Sequence, residues 1–473
     1  MTNRFILLFI LLLSSQIASL CFAVDPGTPP SQEEPWKPPS GLVIKPLPLP
    51  EAAPPPADLL SRMQDLTLTD LIDLALTNSL QTRASWFAAR SAQANVGVEK
   101  SDFYPDLILQ LDATRNKGSA VGGQFSFSSN TIAPAATFTY SILDFTRGPD
   151  VEEAKQQLIA ANWTHNATIQ NIVLQVQQAY YQYLNARALA SAEEATVKEA
   201  QTNLQAADER HKAGVATISD VLQAKTLLSQ AQLALEGTRG QIQTVRGILA
   251  TALGVPPTAA FDTKGVLPEQ LPLQEVSNNI ENLIRESWKM RPDLAAARAR
   301  AEAALAHTKS VKAEGWPSLV SNGTVERLTY LDPTFGSINY SIGASLRFPL
   351  FTGFGHTNDV RQAQADAEVA RSETKALQQQ VTLQVWTSYF NLKTAGERVG
   401  TSKDLLESAQ QAYDATFGRY RAGVGSIQEV LSSQAALENA RAQNIQAKTD
   451  WLLSLAQLAH DTGTLWLSTE GTK

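Results

Sequence analysis

Residues 338–348 read INYSIGASLRF, and the alternation in this stretch decides the fold. Ile338, Tyr340, Ile342, Ala344, Leu346 and Phe348 share one face, while Asn339, Ser341, Gly343, Ser345 and Arg347 share the other. Period two over about 11 residues is a strand with one apolar face, of a length that spans a membrane. Two earlier stretches repeat the pattern. Leu107, Leu109, Leu111 and Ala113 alternate with Ile108, Gln110, Asp112 and Thr114, and Ala136, Phe138, Tyr140 and Ile142 alternate with Thr137, Thr139 and Ser141. Segments rich in Gly, Ser and Asn, at 118–130 and 332–337, read as the loops that follow. A soluble sandwich would show the same alternation, with its apolar side inward. Four strands, however, cannot bury a face without a partner sheet, and the rest of the chain reads as helix. Nor can four strands close a barrel, which takes eight or more. Three chains would supply 12, with the polar face lining a wet lumen and the apolar face against lipid.

The chain repeats itself around these strands. Leu174-Gln175-Val176 with Tyr180-Tyr181 recurs as Leu383-Gln384-Val385 with Tyr389-Phe390, and Ala213-Gly214-Val215 recurs as Ala422-Gly423-Val424, at a constant offset of 209 residues. With small indels, Tyr104-Pro105 matches Trp316-Pro317 and Asp150-Val151 matches Asp359-Val360. Two copies are too few for a solenoid and indicate one duplicated unit: helix, two strands, long helical hairpin. About 60 proline-free residues separate Asp150 from His211, which predicts a helix of roughly 90 Å. Ile169, Val173, Val176, Tyr180 and Tyr183 follow the 4-3-4-3 spacing of a coiled-coil seam. Gly214 and Gly423 are placed to reverse the chain, with Thr217 and Ser426 capping the returning helices. A shorter amphipathic helix opens at Leu68, with Thr67 or Thr69 as cap, and helical pattern runs on to about Phe103 before Pro105.

The ends and the joint read differently. Residues 1–23 have a basic start and a short apolar run, Phe5 to Leu13, that is too short to span a bilayer. They read as a secretion signal cleaved after Ala23. Acylation at Cys21, the only cysteine, is the alternative, and bulky Leu20 argues against it. Residues 24–65 are a proline-rich extended linker. The first repeat then covers 66–254, a connecting segment beside the helices 255–285, the second repeat 286–465 and a short tail 466–473. No later run of 18 apolar residues exists, so no transmembrane helix is expected.

Candidate chemistry is sparse. A net charge of −7 offers no basic surface for nucleic acid. The five histidines, His165, His211, His307, His356 and His460, lack metal-binding spacing. There is no phosphate-binding loop, and Gly353-Phe354-Gly355 is a strand-to-helix turn rather than a dinucleotide fingerprint. Ser372-Glu373-Thr374-Lys375 matches the S-x-x-K form of some acylating serines but lies inside a long helix without partner motifs. The reading is a non-enzyme with no cofactor and no metal.

Three stretches in this order, on the duplicated frame, resemble the TolC family of outer-membrane efflux and secretion channels. They are the opening helix LTLTDLIDLAL at 66–76, Arg291-Pro292-Asp293-Leu294, and Tyr420-Arg421-Ala422-Gly423-Val424 followed by Glu429-Val430-Leu431. The resemblance covers about residues 66–465. It implies a mainly α membrane protein with a β part: a homotrimer whose four strands per chain build a 12-stranded transmembrane β-barrel, continued by a long periplasmic coiled-coil barrel. It further implies the exit duct of a tripartite efflux pump or type I secretion system, working with a periplasmic adaptor and an inner-membrane pump. Asp220 and Tyr420 match a linked pair that holds the family's gate shut. The family's gate arginine falls on Gly425, with Arg421 as a possible stand-in. Glu429 matches one position of an acidic ring, while Ser432 occupies another. Gly214, Val215, Gly423 and Val424 match the places where adaptors dock. A soluble periplasmic adaptor or coiled-coil scaffold is the alternative; it would explain the hairpins without needing the duplicated strands.

Overall fold

The computed structural model describes residues 66–120, 125–258, 263, 265–269, 271–272, 279–331 and 334–465. The expected signal, proline-rich linker and C-terminal tail lie outside these residues, as does much of the connecting segment.

The elements run α1 (Leu68–Asn78), α2 (Leu80–Ser101), β1 (Asp106–Ala120), β2 (Phe125–Leu143), α3 (Arg147–Lys212) and α4 (Ile218–Ala252). The same series then recurs as α5 (Ile280–Met290), α6 (Pro292–Ala313), β3 (Ser318–Leu331), β4 (Thr334–Arg347), α7 (Gly355–Arg421) and α8 (Ile427–Thr462). The copies agree in length: 11 and 22 residues for each opening pair, 66 against 67 for the long helices, 35 against 36 for the returning ones. The expected single helix from Leu68 to about Phe103 is broken at Ser79. Its hydroxyl accepts from the Gln81 and Thr82 N–H groups and so starts α2 afresh. The second copy breaks at the equivalent place, where Pro292 opens α6 and its missing N–H costs nothing.

The four strands form one antiparallel sheet in sequence order. Its register places Leu107, Phe138, Gly323 and Ile342 in one row and Leu109, Ala136, Val325 and Tyr340 in the next. Residues opposite each other share a face, so the apolar positions of all four strands coincide on one side. No described element covers that side: Tyr340 and Ile342 are 82% and 86% exposed. Much of the expected loop at 118–130 is strand, because the ladder continues from Gly118–Phe127 to Ala120–Phe125. Likewise β4 begins at Thr334, inside the second expected loop. Backbone pairing in a hairpin persists beyond the apolar band, where side-chain alternation no longer marks it.

The helices pack as α3 on α4 and α7 on α8, with α2 on α3, α6 between α3 and α7, and α8 against α3. The seam residues Val173, Val176, Tyr180 and Tyr183 are buried, and Ile169 packs against them. The core they enter also holds Leu71, Leu249, Leu392 and Trp451.

One buried polar knot ties the second repeat's entry to the chain's last helix. Arg291 donates to both carboxylate oxygens of Asp293 (3.0 and 2.6 Å), to the Gln384 side chain (2.6 Å) and to the Asp461 carbonyl (3.4 Å). Burial alone would raise the Asp293 pKa. The Arg291 hydrogen bonds and charge, with the Leu294 N–H, outweigh it and hold the carboxyl below its ordinary value. Beside the knot, Gly463 ends α8 at φ +79. A Cβ there would lie 2.8 Å from the Met290 carbonyl carbon.

Gly463→Ala therefore meets both left-handed strain and a backbone clash. It should cost about 2–4 kcal/mol, read as a lower thermal dissociation or unfolding temperature. Asp293 has a depressed folded pKa, so its contribution is present above about pH 4 and is lost as the pH falls through the folded value. Asp293→Asn should lower stability at pH 7 and flatten the acid limb of the stability-against-pH curve.

Candidate gating site at the hairpin tips

Both hairpin turns are built alike. At the end of α3 the Gly214 N–H donates to the His211 carbonyl (2.9 Å) and the Val215 N–H to that of Arg210 (3.0 Å). At the end of α7, Gly423 donates to Tyr420 (3.0 Å) and Val424 to Arg419 (3.0 Å). These are Schellman turns, which need a left-handed residue, and Gly214 and Gly423 supply it at φ +75 and +84. Thr217 and Ser426 cap the returning helices, as the sequence indicates. The turns hold two apolar side chains in solvent: Val215 is 64% and Val424 70% exposed.

Inside the tips a small core gathers Ala207, Ala224, Tyr413, Tyr420, Ile427 and Val430. Tyr420 is 2% exposed, and its hydroxyl finds no hydrogen-bond partner within the described residues. Across from it lies Arg210 of the first hairpin. Its guanidinium carbon is 4.7 Å from the Tyr420 ring centroid, and one of its terminal nitrogens donates to the Tyr420 carbonyl at 2.7 Å. Burial raises the Tyr420 pKa; the Asp220 charge adds to the rise and the Arg210 charge opposes it, so the phenol is neutral at ordinary pH. Asp220 is near enough to act through its charge, but its hydrogen bonds serve the helix cap. Its carboxylate accepts from the Thr217 N–H at 3.1 Å while its own N–H donates to the Thr217 hydroxyl at 3.3 Å.

The other candidates separate. Arg421, the expected stand-in for a gate arginine, lies over the Phe417 ring at 6.0 Å and not at Tyr420. The guanidinium that meets Tyr420 belongs to Arg210. Glu429 pairs with Arg419 at 3.2 Å on the exposed surface. At Gly425 a Cβ would sit 3.1 Å from the Tyr420 nitrogen and 3.2 Å from the Arg419 Cβ, so this turn has little room for any side chain. Sequence reasoning missed Arg210, although the 209-residue offset carries the signal. Arg210 is the counterpart of Arg419, as Asp220 is of Glu429. One arginine stays on its own hairpin and the other crosses to its neighbour. His211, the counterpart of Tyr420, stays local, with its Nδ1 2.9 Å from the Ala216 carbonyl oxygen.

Above the tip two polar layers join the hairpins. The Asn203 amide donates to Gln434 (2.6 Å) and its oxygen accepts from the Tyr413 hydroxyl (3.3 Å), all buried. One turn higher, Arg441 makes a two-pronged contact with Glu199 (2.9 and 2.7 Å) and reaches Gln410 (3.1 Å). The first layer is buried and the second half-buried, and polar layers of this kind fix register between packed helices. No group of three or more His, Cys, Asp or Glu side chains placed to hold a metal occurs among the described residues.

Comparison with known proteins assigns this architecture. The family model for outer membrane efflux proteins matches residues 71–255 and 283–464. Protein CyaE of Bordetella pertussis is 31% identical over 402 residues, 83% of this chain and 82% of that protein. Outer membrane protein TolC of Escherichia coli is 22% identical over 422 residues, 86% and 84% of the two chains. The crystal structure of the outer membrane protein VceC of Vibrio cholerae superposes with a TM-score of 0.74 at 22% identity, covering 86% of this chain and 99% of that one. The chain belongs to the outer membrane efflux protein family, the TolC-type channels, and is an outer-membrane exit duct with a periplasmic helical part.

Proposed function

We propose that three copies of this chain close into one duct, gated at its periplasmic tips, and that a periplasmic adaptor and an inner-membrane pump engage those tips. The observation that carries the reading is the open sheet. Within the described residues β1 and β4 each pair on one side only. In lipid each unpaired backbone group costs several kcal/mol, so spanning sheets must close. Pairing β4 of one copy with β1 of the next removes both edges at once, and three copies give 12 strands, within the range of known barrels.

The gate in this reading is an intrachain latch. Arg210 clamps the Tyr420 ring and carbonyl, and Asp220 braces the cap beside them. Three copies of Glu429, each shared with Arg419, put carboxylates near the aperture, and Arg421 remains available for contacts between copies. Gly214, Val215, Gly423 and Val424 supply the docking surface, since the Schellman turns hold the valines outward. Both tripartite efflux and type I secretion are served by such a duct.

Fractionation tests the assembly: a heat-modifiable trimer in the outer membrane is expected, and a soluble periplasmic monomer would refute it. Conductance in planar bilayers tests the latch. Arg210→Ala removes a cation–π contact and a charge-assisted hydrogen bond, about 2 kcal/mol per chain. That corresponds to roughly a 30-fold shift toward the open state. Tyr420→Phe keeps the ring and the carbonyl and removes the buried hydroxyl that lacks a partner, so it should conduct no more than the parent and, if anything, less. Equal, unchanged conductance in both variants would assign closure to other contacts. Val215→Asp with Val424→Asp should abolish cross-linking to the adaptor while leaving the trimer intact.

A further inference from the structure

The charged side chains of the strands are sorted by face. Rows of paired residues place Asp106, Asp112, Glu326 and Arg347 on the polar, lumen-side face, and the Gln110–Asp112 hydrogen bond (2.8 Å) lies on it too. On the apolar face the only charges among the described residues are Arg115, Lys117 and Arg327, all basic and all exposed. A lone cation on a lipid-facing strand is costly at the membrane midplane and nearly free of cost near the interface. For Arg115 and Lys117 their position resolves the cost. Arg115 lies eight residues beyond Leu107 along β1, about 27 Å of strand. With barrel tilt that approaches the far edge of an apolar band about 25 Å tall. The helices leave from the other end of the sheet, so this edge faces the outer leaflet.

Arg327 is set lower, and a local break in the sheet accompanies it. It shares a row with Leu111, Pro134 and Ile338. The β2–β3 pairing passes from Ile132–Thr329 to Ala135–Glu326 without a pair at Pro134, which has no N–H to give. Around this break Leu109, Leu111, Pro134, Val325, Arg327 and Ile338 line an open depression of about 580 Å³ on the lipid side. Arg115 is four residues further along the strand direction and two strands away, about 13 Å and 10 Å. Long basic side chains reach from such positions toward headgroups. An apolar hollow for hydrocarbon, an arginine on its rim and two more cations above it match one kind of ligand.

We infer that this face binds a phosphate-bearing lipid of the outer leaflet, with an acyl chain in the hollow at Pro134 and its phosphates against Arg327, Arg115 and Lys117. The inference rests on the barrel reading above and names the lipid chemistry its outer surface selects. Three basic residues near a membrane surface favour anionic lipid by on the order of 100-fold in affinity.

The test titrates the detergent-solubilised trimer, checked first for heat-modifiability, with bisphosphorylated lipid A, with the same glycolipid after dephosphorylation, and with inorganic phosphate. Native mass spectrometry reads bound lipid. The parent should retain the phosphorylated form about 100-fold more tightly than the dephosphorylated one. Arg115→Gln with Lys117→Gln and Arg327→Gln should lose that preference. Equal binding of the two glycolipids, or an unchanged preference in the triple variant, would overturn the site. Displacement by inorganic phosphate at similar concentration would instead indicate a free-anion site and likewise overturn it. If the triple variant fails to trimerise, the comparison of the two glycolipids on the parent protein decides alone. Absence of any trimer in the parent would count against the barrel reading rather than the lipid site.

Discussion

In hydrocarbon a backbone N–H or C=O without a partner has no water to turn to, and each one left open costs several kcal/mol. Among its described residues this chain carries a four-stranded sheet whose two edges are open and whose apolar face is bare. No helix among the described residues is long and apolar enough to cross a membrane. The edge requirement then reaches through the rest of the molecule. A chain with too few strands to close must meet copies of itself, and everything attached to the strands is brought around the same axis. The long helices inherit that arrangement from the barrel above them.

Duplication is what makes such closure workable. Each copy delivers two strands and then a helix of 66 or 67 residues, followed by a return of 35 or 36. Because the lengths match, the two turns of one chain lie at equal distances from the sheet along their helices. Near-identity of the frame also exposes where the copies part company. Arg419 pairs with Glu429 within its own hairpin. Arg210, at the equivalent place, reaches the other hairpin instead. Tyr420 makes the difference: it offers a ring and a carbonyl where the first copy has His211, which turns back onto its own turn at Ala216.

The sequence made some of this legible and hid the rest for physical reasons. Alternation of period two marks the strands only where one face meets lipid, so Leu107 to Ala113 and Ile338 to Phe348 could be read. The pairing of Gly118 with Phe127 could not, because beyond the apolar band a ladder needs no particular side chains. The fixed offset revealed the turns at Gly214 and Gly423 and both caps, since those depend on backbone conformation and local hydrogen bonds. The break at Ser79 was masked by continuous helical pattern on both sides. Arg210 was invisible as a site residue because its partner lies 210 positions away on a different hairpin. Only the repeat alignment, by setting Arg210 against Arg419, hints that one of the pair is free to do something else.

The tip contacts are also of a kind suited to release. The body above them is held by extensive apolar burial and by the polar knot at Arg291, whose guanidinium meets acceptors on Asp293, Gln384 and Asp461. At the tip the core is small, and two of its polar atoms, the Tyr420 hydroxyl and the Arg210 Nε, are buried without a hydrogen-bond partner among the described residues. An unsatisfied buried polar group costs about 1–3 kcal/mol. Such a cost weakens the closed arrangement without touching the body. The same atoms become satisfied on exposure to water, so opening regains part of what the clamp contributes. In the proposed gate, a latch built this way would stay closed by a margin of about a few kcal/mol, which a partner making new contacts at Val215 and Val424 would supply. In the same proposal the polar layers at Asn203 and Glu199 mark the boundary: below them the hairpins would separate, and above them their register would be kept.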